Sequence, residues 1–314
     1  MSRKYTFYTY FQSVDYVKSY LYKLYSKQKY SNAKELSFNN GYSFVYYIKM
    51  GESFFSQGIH APLSIKPVLY FYGLSHWLKA LLLTGDPHYP ASTQVLAHGV
   101  STRKRKKQNY SFLKDEIKVQ KDGFYPYLSE QLFHVKQITG EKYKMRHLLM
   151  TIPEFIPIFE ELEKEQTLIK LSGKPPLFSL ERESFKKFNE PVSQFSTLIK
   201  QKTDLKWKCY EEGDQVFINI QNTSIESSPI NYSMENTYYL PIMHSLYKNL
   251  PELLVHYLLL YNLSMICRYE TEWWGELLYS FPSNDLPFIE MFLNIAEVKI
   301  PFLLERIFKT DIPI

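Results

Sequence analysis

Cysteine is almost missing from this chain. Two residues in 314, Cys209 and Cys267, stand in unlike segments, and no Cys-x-x-Cys or Cys/His spacing surrounds them. A structural zinc site or a disulfide framework needs such spacing, so no metal is expected, and free thiols suit a reducing compartment. Glycine is sparse, at 11 residues, and builds no P-loop, no G-x-G-x-x-G and no G-x-S-x-G string. An ordinary NTPase or dinucleotide enzyme lacks its phosphate cradle here, and no cofactor is expected. No apolar run reaches 18 residues. The nearest, LLVHYLLLYNLSMIC at 253–267, is interrupted by His256, Asn262 and Ser264 and is too short to span a bilayer. The opening MSRKYTFYTYFQS lacks the apolar core of a signal peptide. A cytoplasmic protein without a membrane partner is the expectation. One-signed charge is also modest: 37 Lys and Arg against 32 Asp and Glu give +5, too little by itself to indicate nucleic acid.

What the chain does hold is aromatic mass and one knot of charge. Aromatics make up 17%, with 27 Tyr and 22 Phe. Such side chains bury large areas, and the Tyr hydroxyl lets them line a polar surface as well as a core. The charge is concentrated in HGVSTRKRKKQNY, 98–110, where five consecutive cations run from Arg103 to Lys107.

Periodicity predicts a mainly α chain: a helical bundle with small β-hairpins inserted, α+β at the margin. Helical spacing runs through 11–29, then from Ser31 or Asn32 through Val45 and Tyr46, with Gly41 weakening it, followed by a short segment ending at Gly58. The strongest early helix is 64–85, with Ser64 as candidate N-cap and Pro67 in its first turn. Its near-uniform apolar character predicts burial, which singles out Tyr72, Ser75, His76 and Lys79. Lys79 in that setting is costly unless it reaches the surface, a carboxylate or a ligand. Hairpins are predicted around Lys-Asp-Gly in 116–128 and around Glu-Gly-Asp in 205–222. Later helices cover 251–267 and 286–308, the last kinked or restarted at Pro301. Three regions are expected: an N-terminal helical region 1–166, a β-containing insertion 167–236, and C-terminal helices 237–314 packing on the first region.

The basic stretch is the candidate binding site. Arg offers bidentate geometry to phosphate and Lys a point charge, and Ser and Thr hydroxyls donate. Arg103, Lys104, Arg105, Ser101, Thr102 and His98 therefore form a candidate ligand-binding set, with Gly99 permitting close backbone approach. Lys79 and Arg268 join it if the basic stretch returns over the 64–85 helix. The same cations also fit a solvated loop, and Arg268 also fits a helix C-terminus favoured by the dipole. His256 fits a core histidine, and Trp273 and Trp274 fit packing anchors.

Three strings together carry a resemblance: APLSIKPVLYFYGLSHWLKALLL, HYPASTQVLAHGVSTRKRKKQ and LLLYNLSMICRYETEWW. They resemble the YaaC-like proteins, across nearly the whole chain. The resemblance implies a bacterial cytoplasmic protein and carries no catalytic residue. A weaker likeness is to HEPN-type helical proteins, whose ribonucleases place a His four to six residues after an Arg. After Arg268 those positions hold Trp273, Trp274 and Gly275, so no nuclease site transfers. The expected function is recognition of an anionic, nucleotide-like small molecule, with nucleic acid as a second ligand class. The rival expectations are a HEPN-like ribonuclease or other phosphoester-acting enzyme, and a regulatory partner of another protein.

Overall fold

Proline and glycine at helix entries, and apolar faces at helical spacing, produce the elements of the computed structural model, which describes residues 7–102, 110–203, 205–220, 228–280 and 283–309. Four helices come first: α1 (Phe7–Tyr10), α2 (Val14–Lys27), α3 (Ala33–His60) and α4 (Lys66–Gly85). The short strand β1 (Val100–Ser101) and β2 (Glu116–Val119) precede α5 (Phe124–Phe133) and β3 (Lys142–Lys144). Then follow α6 (Met145–Leu149), α7 (Ile156–Ile158), β4 (Leu168–Lys174), β5 (Leu177–Glu181), α8 (Arg182–Phe185) and α9 (Val192–Thr203). Strands β6 (Lys208–Glu212), β7 (Gln215–Asn219), β8 (Asn231–Tyr232) and β9 (Tyr238–Pro241) lead to α10 (Glu252–Tyr269), α11 (Thr271–Ser280) and α12 (Asp285–Lys309). The chain is mainly α, with small antiparallel sheets, as its periodicity predicts.

Two compact units emerge, and their boundary falls within α10. One comprises Met1–Lys144 with His256–Ile314, the other Met145–Val255. In the first, α2, α3 and α4 pack together, and α4 is buried on nearly every side. Glycines set how closely α3 meets α4. A Cβ on Gly51 would lie 2.3 Å from Trp77 Cδ1, and one on Gly58 2.6 Å from Tyr70 Cδ1. Trp77 fills that seam and donates its indole N–H to the Ile48 carbonyl at 3.3 Å. Phe55 stacks on Tyr70 with ring centroids 4.5 Å apart. Gly41 and Gly51 therefore lie inside one continuous α3, where packing outweighs their low helix propensity. The small sheet of this unit runs β1-β2-β3, antiparallel throughout.

The second unit is a six-stranded antiparallel sheet in the order β6-β7-β5-β4-β9-β8. Its core joins Phe178, Leu180, Val216, Ile218 and Leu240 from the strands to Phe195 and Ile199 of α9. The β6–β7 hairpin turns at Glu-Gly-Asp as predicted, with Glu212 opposite Gln215.

One hairpin is not there. The 116–128 stretch gives β2 and then enters α5, because Gly123 at φ 125 turns the chain into a helix whose first turn holds Pro126. The strand pairs instead with β1 and β3, which are distant in sequence. Ser64 does not cap α4; Ile65 occupies that place without a side-chain cap.

A cationic cluster on the half-buried face of α4

Between residues 71 and 80 only Tyr72, His76 and Lys79 escape full burial. Spacing of four and three residues puts them on one face of α4. The neighbouring α3 meets that face with two aromatics seven residues apart. Phe54 stacks on His76, centroids 5.7 Å apart and planes within 11°, and lies 5.6 Å from the Tyr72 ring. Tyr47 lies 6.1 Å from His76, and the Lys79 ammonium sits 5.8 Å from the Tyr47 centroid. Ser75 does not share the face: it is buried, and its hydroxyl donates to the Phe71 carbonyl at 2.7 Å. In an apolar seam the carbonyl four residues back is the acceptor within reach.

Two further groups approach from other elements. His98 precedes β1, and its backbone oxygen accepts from the Tyr125 amide at 3.2 Å and the Tyr257 hydroxyl at 3.1 Å. Its ring meets Phe71 at 5.2 Å and Tyr261 at 5.3 Å, edge-on to both. Gly99 has φ +77, and a Cβ there would lie 2.4 Å from Pro126 Cδ. Its close backbone approach is thus to the Gly123 corner that anchors His98 and not to a ligand. Arg268 closes the last turn of α10. Its Nε donates to the Ser264 carbonyl at 2.9 Å, while Nη1 reaches the Tyr72 hydroxyl at 3.4 Å and Nη2 the Met265 sulfur at 3.2 Å. Nε and Nη2 therefore stay on α10, the first at the helix end as the dipole favours, and Nη1 alone reaches α4.

The electrostatics of this group are one-sided. Burial, and then the charge of Lys79, lowers the His76 pKa. Burial, then Arg268, then Lys79, lowers that of His98. Burial alone lowers that of Lys79. Both imidazoles are thereby held neutral at physiological pH. Neither Lys79 nor Arg268 meets a carboxylate among the described residues. The His76 Nδ1 and the hydroxyl of nearby Tyr89 are buried without a hydrogen-bond partner. Buried polar atoms are rarely left so, and cations without counter-charges favour an incoming anion.

Of the residues singled out by sequence, Lys79 lies on this face, Arg268 reaches it at Tyr72, and His98 feels the charge of both. Ser101 pairs with Lys118 in the small sheet, and its hydroxyl accepts from Gln120 Nε2 at 2.6 Å. Thr102 follows it, half-buried. Arg103, Lys104 and Arg105 lie outside the described residues. His256 is fully buried and stacks on Phe292, centroids 5.5 Å apart. Trp274 donates to the Ser64 carbonyl at 3.0 Å, and Trp273 packs edge-on to Tyr110 at 4.6 Å, so both act as packing anchors. Burial pushes the thiols of Cys209 and Cys267 up to about 11. Among the described residues no three His, Cys, Asp or Glu side chains group as a metal site, and no helix is long and apolar enough to cross a membrane.

Sequence reasoning missed Tyr47, Phe54 and Tyr261. The i, i+7 spacing of Tyr47 and Phe54 was available, but nothing in one chain's pattern says which helix face meets which. A family model described as YaaC-like Protein matches residues 9–308. No curated protein and no solved structure gives a significant match.

Proposed function

The chain belongs to the YaaC-like family, and on that footing we propose that it is a cytoplasmic protein that binds an anionic, nucleotide-like small molecule at the cationic face of α4. The observation that carries the reading is that Lys79 and Arg268, two partly buried cations flanking two neutral histidines, have no carboxylate beside them among the described residues. Partly buried charges are normally paired, because desolvation without a counter-ion is costly. An anion supplies the missing partner. Arg268 would take it in a charge-assisted hydrogen bond, and His76 and His98 would donate from neutral rings. Phe54, Tyr47 and Tyr72 offer the π-faces against which a base stacks. Arg103, Lys104 and Arg105 join the proposed binding set on the strength of their sequence alone.

A thermal-shift panel at low salt tests this, using inorganic phosphate, nucleoside mono- and diphosphates, and the matching nucleosides. A ligand present at a hundred times its dissociation constant stabilises by about 2.7 kcal/mol. Phosphate-bearing compounds are expected to raise the melting temperature and nucleosides are not. A panel in which no phosphate compound shifts the transition would overturn the proposal.

A further inference from the structure

Charge is sorted along this chain in a way that the α4 face does not use. Residues 16–50 hold six lysines and one carboxylate, Glu35, whereas residues 269–298 hold six carboxylates and no lysine or arginine. Both stretches belong to the first unit. The basic stretch also carries an aromatic stripe. Phe38, Tyr42, Tyr46 and Met50 recur every four residues along the outward side of α3 and are 61%, 50%, 60% and 44% exposed. The stripe runs for about 18 Å of helix. Gly41 leaves room for the Lys18 stem beside it: a Cβ there would lie 2.8 Å from Lys18 Cγ. The Lys18 ammonium lies 4.1 Å from the Phe38 centroid and 5.0 Å from that of Tyr42. Lys34 and Lys49, both exposed, stand at the two ends. Single exposed apolar residues are ordinary, but a continuous row of large ones marks an interaction surface. The acidic stretch has a matching element. On α11, Glu272, Glu276 and Tyr279 are exposed at i, i+4 and i+7, while Trp274 and Leu277 are buried on the other side. Tyr279 is 78% exposed, and α11 is about 15 Å long, close to the length of the stripe.

We infer that the α3 stripe is a docking surface for the α11 face of a second copy of this chain, head to tail. The two faces have opposite charge, similar length and exposed aromatic rings. Burial of the stripe under Tyr279 and its neighbours supplies the affinity. The lysines around the stripe and Glu272 and Glu276 on the partner face are rim charges, which steer the encounter and fix its direction more than they hold it. Two stripes facing each other would instead set lysine against lysine, a like-charge contact that disfavours the symmetric pairing. Because the two faces differ, the contact is heterologous. A dimer leaves one stripe and one α11 face free, so the wild type grows beyond the dimer or closes into a ring. This surface is separate from the anion site, and the inference does not depend on it.

Sedimentation velocity on the full chain at low salt, over a range of concentrations, tests this with two double variants. Tyr42→Ala with Tyr46→Ala breaks the stripe and leaves α11 intact; Glu272→Lys with Glu276→Lys breaks the α11 face and leaves the stripe intact. The wild type is expected to associate beyond the dimer, and each variant alone to sediment as a monomer at the same concentration. An equimolar mixture of the two variants is expected to form a dimer that grows no further, since it contains one sound copy of each face. That recovery requires both variants to be folded, so loss of association through misfolding cannot imitate it. A wild type that stays monomeric at every concentration would overturn the inference. So would association that survives either pair of changes, as in a symmetric stripe-to-stripe dimer, or variants that stay monomeric when mixed. A different protein held on the stripe in native mass spectrometry, in place of a second copy, would overturn it as well.

Discussion

Two polar clusters in the first unit handle buried charge in opposite ways. The acidic one lies where residues 110–115 meet α10 and α12. Asp285, 2% exposed, accepts from the Ser111 hydroxyl at 3.1 Å, the Phe112 amide at 2.8 Å and the Leu113 amide at 3.2 Å. Asp115 accepts from the Tyr110 hydroxyl at 2.7 Å, Asn262 Nδ2 at 3.0 Å and the Glu116 amide at 2.9 Å. Every one of those bonds ties a loop to a helix or fixes its own turn. The cationic cluster on α4 is less buried, with His76, Lys79, His98 and Arg268 all half-buried, and among the described residues no carboxylate meets its cations and His76 Nδ1 has no partner. The first cluster reads as structure because its hydrogen bonds are made internally. The second has cations that no carboxylate among the described residues answers, which is the ground on which we propose it as a site.

Mutation should separate the two. The largest effect is expected at Asp285. Asp285→Ala strands the buried Phe112 amide, the part-buried Leu113 amide and a hydroxyl, and should lower the unfolding free energy by about 3 kcal/mol, measured by urea denaturation. A loss below about 0.5 kcal/mol, the range of ordinary surface changes, would show that the acidic cluster is not the tie described here. Next comes Arg268→Gln. It should weaken phosphate or nucleotide binding by about 2 kcal/mol, roughly thirtyfold, with far less effect on folding, as calorimetric titration beside a melting curve would show. Equal losses of binding and stability would make Arg268 a helix-end residue and nothing more.

Smaller and of opposite sign is Lys79→Met. Removing a partly buried cation that no carboxylate among the described residues meets should stabilise the ligand-free protein, by about 1 kcal/mol, while weakening phosphate binding. Destabilisation would mean that Lys79 has a structural partner in the fold.

The smallest effect is a pH slope. The histidines at 76 and 98 have folded pKa values below their unfolded value of 6.5. Below pH 6.5 the unfolded chain therefore binds more protons than the folded one. The stability they contribute is complete above that pH and is lost as pH falls through the folded values. His76→Asn with His98→Asn should flatten this part of the melting-temperature profile, whereas acid loss unchanged in the double variant would assign it to other groups.

Much of this fold was legible in the sequence because local signals and tertiary packing agree. Asn32 takes the N-cap position of α3, and Glu-Gly-Asp turns a true hairpin. The α4 helix was readable from its apolar run, and three of its four polar exceptions, Tyr72, His76 and Lys79, share its half-buried face. Failures came where a local signal served a distant partner. Lys-Asp-Gly at 121–123 looks like a hairpin turn, but Gly123 is needed for the contact with Gly99 and the entry into α5. Gly41 and Gly51 look like helix breaks, but they are clearance for Lys18 and Trp77. Ser75 was singled out with Tyr72, His76 and Lys79, and its four-residue spacing to Lys79 suggested a shared face, yet it turns into the seam. The reach of Arg268 to Tyr72 depends on α10 meeting α4 across almost 200 residues of chain, which no spacing rule encodes.

The most direct test of the account is calorimetric titration of a nucleoside monophosphate into the wild-type chain and into Arg268→Gln, at low salt and slightly acidic pH. The account predicts one saturable site in the wild type and a clearly weaker one in the variant. No heat of binding in the wild type, or the same affinity in both proteins, would contradict it.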